Sequence, residues 1–316
     1  MEKIADLKVF NDTFIEMVRG GQVKEAAASA QNFTRMKLRE ESFAEKILSP
    51  MEIANDELDK AENPELQVKW NDREPDAAPA MTVPLGVVPD SFQFGGSRYP
   101  VYFSRIVSPL FKKDVDKLRG YDYDIRSTLL DISTKDIAAE IDSKFMSACV
   151  SAVTNANANN GGLGSQDITV GATLTKDSLS DSFAHIQKLR VPFGPLQADG
   201  NSSKGVMLMN NITARHLLKF DASEIGFNLA EKTFTSGVPS PSILGVKTIF
   251  TLKREIVPDN VVMLFSSEEF LGKYLRLQPL TVFMENKSYF LQFFQYTNIG
   301  ISIGNIKGVV RLTFNA

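Results

Sequence analysis

Apolar positions along the 316-residue chain change period several times, and each change marks an element. Near the start, Leu7, Phe10, Phe14 and Met17 fall three, four and three apart, one stripe of a helix that stops at Gly20-Gly21. A second helical stretch from Val23 to Leu48 carries Phe33, Met36, Phe43 and Ile47 among many charges and ends before Pro50. Helices so poor in apolar residues borrow partner surface from elsewhere. From Leu66 the texture changes. "LQVKW" and "RYPVYFSRIV" alternate with period two, and about 25 residues rich in Pro, Gly and Asp separate them. A connection that long is extended or functional, and a two-stranded ribbon is marginal alone in water, so the arm is expected to lie on another surface.

The strongest helical signal follows. Ile137, Ile141, Phe145, Cys149 and Val153 step by four, and neither Gly nor Pro occurs from Tyr121 to Asn160. A helix over about Asp131 to Val153 is expected, roughly 35 Å long, before the loop "NANANNGGLGS". Thr175 then reads as the N-cap of a helix burying Leu179, Phe183, Ile186 and Leu189, with Pro192 ending it. "GVMLMN" is a short apolar strand, Asn210 or Asn211 caps the helix "ITARHLLKF", and "TSGVPSPS" is a loop. "ILGVKTIFTL", "NVVMLFS" and "LTVFMENKSYFLQFF" supply further strands. At the end, Ile299, Ile301 and Ile303 alternate with Gly300, Ser302 and Gly304, and after Asn305 to Gly308 the alternation resumes at Val310, Leu312 and Phe314. That predicts two strands and a tight turn. Glycine inside a strand marks close approach by another backbone. Helices and strands intermix without a βαβ repeat, so the class is α+β.

Composition narrows the functions. A net charge of −3 gives no bulk attraction to nucleic acid or anionic membrane. The basic stretches "TRMKLRE" and "FKKDVDKLRG" are interleaved with acids and form no sequence-reading face. No apolar run approaches about 18 residues, so no membrane span is expected, and "MEKIADLKVF" has no signal-peptide core. The single cysteine excludes an intrachain disulfide and suits a protein made in a reducing cytoplasm.

Candidate chemistry is sparse. His185 and His216 sit in predicted helices without a metal-binding pattern, and the bland reading is a satisfied or solvent-facing ring. Cys149 lies on the apolar stripe and reads as a small buried hydrophobe rather than a nucleophile. Asp56, Glu57 and Asp59 lack calcium-loop spacing and read as a solvated face. "NNGGLGS" lacks the Lys and Ser/Thr of a phosphate loop. No catalytic, cofactor-binding or metal-binding residues are expected, and the chain reads as no enzyme.

The order of elements resembles the major capsid protein of tailed bacteriophages, the Hong-Kong-ninety-seven-type capsid fold shared with encapsulin shells. The segments that carry this are "RYPVYFSRIVSPLFKKDVDKLRGYDYDIRSTLLDISTKDIAAEIDSKFMSA", similar to the loop-return strand and spine helix, "GVMLMNNITARHLLKF", similar to the strand–helix step of the axial domain, and "SILGVKTIFT" with the terminal strands. The resemblance implies a helical N-terminal arm over 1–65, an extended two-stranded loop over 66–110, a peripheral domain with the spine helix over 111–175, an axial domain over 176–285, and C-terminal strands over 286–316 returning to the peripheral domain. It implies self-assembly into hexamers and pentamers of an icosahedral head enclosing double-stranded DNA, which is touched without sequence preference. A portal protein, a separate scaffolding protein and a decoration or cement protein are the implied partners, with no membrane. The location implied is the virion, after assembly in the bacterial cytoplasm. Gly300, Ser302 and Gly304 are then expected to give clearance to the helix or a neighbouring chain, not to a ligand. Some relatives join a loop lysine to an asparagine; no lysine lies between Lys69 and Lys112, so a non-covalent shell is expected. The short arm predicts a subunit that is not cleaved. The rivals are an encapsulin-like shell around a cargo enzyme and, more remotely, an α+β enzyme of unknown reaction.

Overall fold

The computed structural model describes residues 42–61, 63, 65–75, 80–85, 88, 91, 95–114, 125–159, 166–171, 173–189, 191–193, 205–219, 242–243, 245–287 and 289–315. The stripe Leu7 to Met17, Phe33 and Met36, most of "NANANNGGLGS" and the loop "TSGVPSPS" lie outside them. Of the second helical stretch the described part is α1 (Phe43–Ile47).

Two sheets and one long helix organise the rest. The helix, α2 (Ile125–Asn159), has 35 residues and exceeds the expected span at both ends, giving about 52 Å at 1.5 Å per residue. Its four-residue stripe is buried throughout, from Ile137 to Val153. A step of four residues overshoots one turn by about 40°, so the stripe winds around the helix and needs cover on more than one side. That cover comes from α1, from both sheets and from the turn Ile306–Gly308.

The first sheet contains β1 (Pro50–Glu52), β11 (Gly272–Lys287), β12 (Phe290–Ile303), β4 (Ser104–Val107) and β5 (Phe111–Asp114), in the order β1-β11-β12-β4 with β5 also on β12. β11 and β12 form one long antiparallel hairpin with irregular register between Arg276 and Thr281, around Pro279. Proline has no N–H for the ladder, which is why the interruption falls there. The odd positions Leu291, Phe293 and Ile299 of β12 are buried, Ile299 in the cluster around α2, and Thr134 of that helix donates to Gln295 at 3.2 Å. The even positions face the other way.

The second sheet runs β6 (Asp167–Val170), β13 (Val309–Phe314), β10 (Val261–Phe265), β7 (Val206–Asn210), β9 (Val246–Thr251), β8 (Ser242–Ile243). Both faces are covered. Met263, Phe265, Leu208 and Ile249 join the cluster around α2. Val262, Leu264, Met207 and Met209 join Leu179, Phe183 and Ile186 of α3 (Lys176–Lys188) in a second cluster. Burial on both faces explains the unbroken apolar runs "VMLM" and "VVMLF". Helix α3 starts as expected: the Thr175 side chain accepts from the Ser178 amide at 3.2 Å, and Ser178 reciprocates as acceptor for the Thr175 amide at 3.0 Å.

Several expectations need correction. The two terminal strands do not pair with each other. Ile299 to Ile303 belong to β12 of the first sheet, and Val309–Phe314 pairs with β10 and β6 in the second, so the turn between them switches sheets. Position 285/286 falls inside the β11–β12 hairpin, and β13 sits between β6 and β10. "RYPVYFSRIV" is two strands, β3 (Arg98–Tyr102) and β4, broken at Phe103 and paired with different partners. "ILGVKTIFTL" is β8 and β9, reversed at Gly245, whose left-handed φ of 77° glycine adopts without steric cost. "ITARHLLKF" winds as one α-turn, Asn211–Ala214, capped by Asn210 at 2.7 Å, and then tightens to a 3-10 turn.

Candidate functional site

The extended loop is rooted in a ribbon of β2 (Val68–Asp72) against β3, with Trp70 opposite Pro100 and Arg98 donating to Asp72 at 2.6 Å. The ribbon lies on the even face of β12, away from α2. Here the glycines find their use. A Cβ on Gly300 would stand 2.7 Å from Val101 Cγ1 and 3.1 Å from the Tyr102 carbonyl oxygen; one on Gly304 would stand 2.6 Å from Tyr99 Cζ. The close neighbour within the subunit is therefore the chain's own ribbon and not the helix, and Val101 is fully buried. Ser302, between the two, is half-buried opposite Lys273.

A strap from Ser42 to Lys60 ties this ribbon to the body. Its first turn, α1, has no cap of its own. Asp142 of α2 supplies one: its Oδ1 accepts from the Ala44 amide at 3.0 Å and from the Ser42 hydroxyl, and its Oδ2 pairs with Lys253 Nζ at 2.6 Å. The Asp142 side chain is 0% exposed. Next, Arg276 donates to Glu45 at 2.6 Å and Tyr274 donates to the same oxygen at 3.3 Å. Burial, with the nearby Glu45 carboxylate adding to it, pushes the Tyr274 phenol up to about 12. Ser49 donates to Glu268 at 2.9 and 3.1 Å, β1 pairs with β11, and Asp59 accepts from the Trp70 amide at 2.8 Å. Asp59 is thus more than part of a solvated face, whereas Asp56 and Glu57 are exposed in a 3-10 turn. Sequence reasoning missed Asp142 altogether, because its partners stand about 100 residues before and after it.

Beneath the ribbon's open end is a cleft of about 790 Å³ between Arg73, Tyr99, Phe270, Gly304 and Lys307. Its carboxylates and ammonium groups are mixed, and neither histidine nor cysteine lines it. Arg73 stacks over the Tyr99 ring at 5.5 Å, and burial raises the Tyr99 phenol. Beyond the ribbon, the loop carries apolar side chains into solvent: Leu85 is 104% exposed, Val88 85%, and Met81 and Val83 are also exposed.

The remaining sequence candidates stay apart. Cys149 is 0% exposed and burial pushes its thiol well up, which leaves it un-ionised and inert. His216 is buried with its ring edge-on to Phe314 at 5.2 Å. His185 lies on α3, its pKa lowered by burial and by Lys188. Among the described residues no group of three or more His, Cys, Asp or Glu could hold a metal ion, and no helix is long and apolar enough to cross a membrane.

No protein-family model matches the chain, and no curated protein matches it. Solved structures do. The chain is similar to the capsid of a native GTA particle (14% identical, 88% of this chain and 92% of that chain covered, TM-score 0.62). It is similar to the capsid of cyanophage P-SCSP1u (9% identical, 85% and 86% covered, TM-score 0.60). A virus-like particle from Pyrococcus furiosus is 13% identical with 92% and 99% covered, at a TM-score of 0.53. With its long helix beneath a hairpin sheet, its second sheet and its projecting ribbon, the chain has the fold of these capsid structures, the Hong-Kong-ninety-seven type.

Proposed function

We propose that the chain is a major capsid protein, structural rather than catalytic, whose copies assemble as hexamers and pentamers into an icosahedral head around double-stranded DNA. The observation that carries this reading is a capsid fold spanning most of the chain that also holds fully exposed apolar side chains on a projecting loop. Apolar surface so placed marks an interaction site. In this reading, the first sheet with α2 forms the peripheral part of the subunit, and the second sheet with α3 forms the axial part that points to the ring centre. The subunit assembles in the bacterial cytoplasm with a scaffolding protein and a portal, takes a decoration protein on its outside and meets the packaged DNA without sequence preference. Rings and shells follow from heterologous contacts that close on themselves. The test is negative-stain microscopy of the purified full chain, expressed alone and with its neighbouring genes. Closed particles support the reading; a stable monomer under every condition overturns it. The likeness to a virus-like particle from Pyrococcus furiosus is compatible with a second, less supported reading, an encapsulin-like shell around a cargo enzyme. Cargo recovered from purified shells, and absence of packaged DNA, would select it.

A further inference from the structure

The strap holds the first sheet from both sides. β1 lies along the edge of β11, with Pro50, Met51 and Glu52 opposite Tyr274, Leu275 and Arg276. These three in turn stand opposite Ile301, Gly300 and Ile299 of β12. Residues opposite one another share a face of the sheet. Met51, Leu275 and Gly300 therefore lie on the face that Val101 of the ribbon covers. Tyr274 and Arg276 lie on the other face, where both reach Glu45 of α1. The chain crosses between the faces around this edge. At one end α1 packs in the cluster around α2. At the other, the Asp59 amide donates to the Val68 carbonyl at 3.0 Å and its carboxylate accepts from the Trp70 amide at 2.8 Å. Strap and ribbon thus share the same three rungs.

The two ends are unequal. Phe43, Ala44, Ile47 and Leu48 are buried at the first end, whereas no residue from Ser49 to Lys60 is. Between them the body grips the strap lightly. The parallel pairing is three residues long and opens on Pro50, which has no N–H to give. The Ile53 amide adds one bond to the Arg276 carbonyl at 3.0 Å, and Ser49 adds its contact with Glu268. So short and exposed a ladder belongs to the low end of local stability. Its seat depends on α1, and α1, five residues without a cap of its own, depends on Asp142.

We propose that the strap is a clasp that opens as one unit: loss of the Asp142 cap on α1 frees β1 and loosens the ribbon on Gly300 in the same step. Asp142 bonds to neither of them, its partners being Ser42, Phe43, Ala44 and Lys253. It is then a positioning residue for the ribbon. In the shell reading, on which this use of the clasp rests, a second copy that draws on the chain ahead of Ser42 resets the root of the loop. The coupling itself belongs to one chain and is tested without assembly. Trp70, the single tryptophan, reports from the ribbon. Unassembled full-length wild type and Asp142→Ala are compared by hydrogen exchange and by acrylamide quenching of Trp70. The amides of Leu48, Ile53 and Trp70 are all expected to exchange about tenfold faster or more in the variant, with quenching rising alongside. Acceleration confined to 43–48, with Trp70 exchange and quenching unchanged, overturns the clasp. If 262–265 of the second sheet lose protection equally, the variant has unfolded and the wild type decides. There, as urea is raised, Leu48, Ile53 and Trp70 are expected to merge into one opening with one urea dependence, ahead of 262–265. Separate openings overturn the clasp and leave the shell reading standing, since particle formation bears on that reading alone.

Discussion

Removing the Asp142 carboxylate is expected to unseat the strap at a cost set by three bonds made in a place without water. Asp142→Ala leaves the Lys253 ammonium, whose side chain is only 14% exposed, without its 2.6 Å partner, and leaves the Ala44 amide without its 3.0 Å acceptor. Breaking a buried ion pair from one side costs about 3–5 kcal/mol, most of it the desolvated charge left behind. The orphaned amide alone accounts for about 1–3 kcal/mol, and since one substitution does both, about 4 kcal/mol is the expected total rather than the sum. The net worth of the pair is a different quantity. In Asp142→Asn with Lys253→Met, both charges go and the amide oxygen still accepts from Ala44, so the double variant is expected to lose less than its singles added together, by about 1–3 kcal/mol. Urea unfolding of the full chain followed by far-UV circular dichroism gives all four corners of the cycle, and hydrogen exchange at 43–48 locates the loss. Strictly additive singles, or an Asp142→Ala midpoint equal to wild type, would refute the claim that this carboxylate caps α1 and holds Lys253 at once.

Three further outcomes follow from other contacts. Gly300→Ala puts a methyl 2.7 Å from Val101 Cγ1 and 3.1 Å from a carbonyl that cannot rotate away; a loss of about 1–3 kcal/mol is expected, with faster protease cleavage inside 73–97 and an unchanged body. Tyr274 gives an alkaline limb. Its phenol ionises near 10 when unfolded and at about 12 when folded, so between those values the unfolded chain binds fewer protons and stability falls as pH rises. The slope is about 1.4 kcal/mol per pH unit, about 2.7 in total, fully present below pH 10. Tyr274→Phe should flatten the limb by that slope in pH-jump unfolding, and parallel curves would contradict it. Finally, with no lysine from 70 to 111, boiled particles should run in SDS as a single subunit band, and a covalent ladder would show a bond the loop cannot make through lysine.

What was legible in the chain depended on whether the information was local. The stripe from Ile137 to Val153 and the Thr175 cap are written within a few turns, and both stand where the pattern puts them. Strand pairing is not local. "NIGISIGNIKGVVRLTF" alternates well enough to look like a hairpin, yet nothing within it says that Ile299 will face α2 while Leu312 faces α3. Asp142 is the same problem in polar form, an acid beside an apolar stripe whose partners arrive from Ser42 and Lys253. "FLQFFQYT" is the sharpest case, because both its faces are apolar. Odd positions are buried and even positions are half-buried, and alternation alone cannot rank two apolar faces. Only the run beyond it separates them: as the even positions shrink from Tyr296 to Gly300 and Gly304, the strand makes room for its own ribbon. Where they stay aromatic, Lys112 and Arg105 of the same chain lie over the rings of Phe290 and Tyr296. The glycines, expected to clear the helix or a neighbouring chain, clear the chain's own ribbon instead.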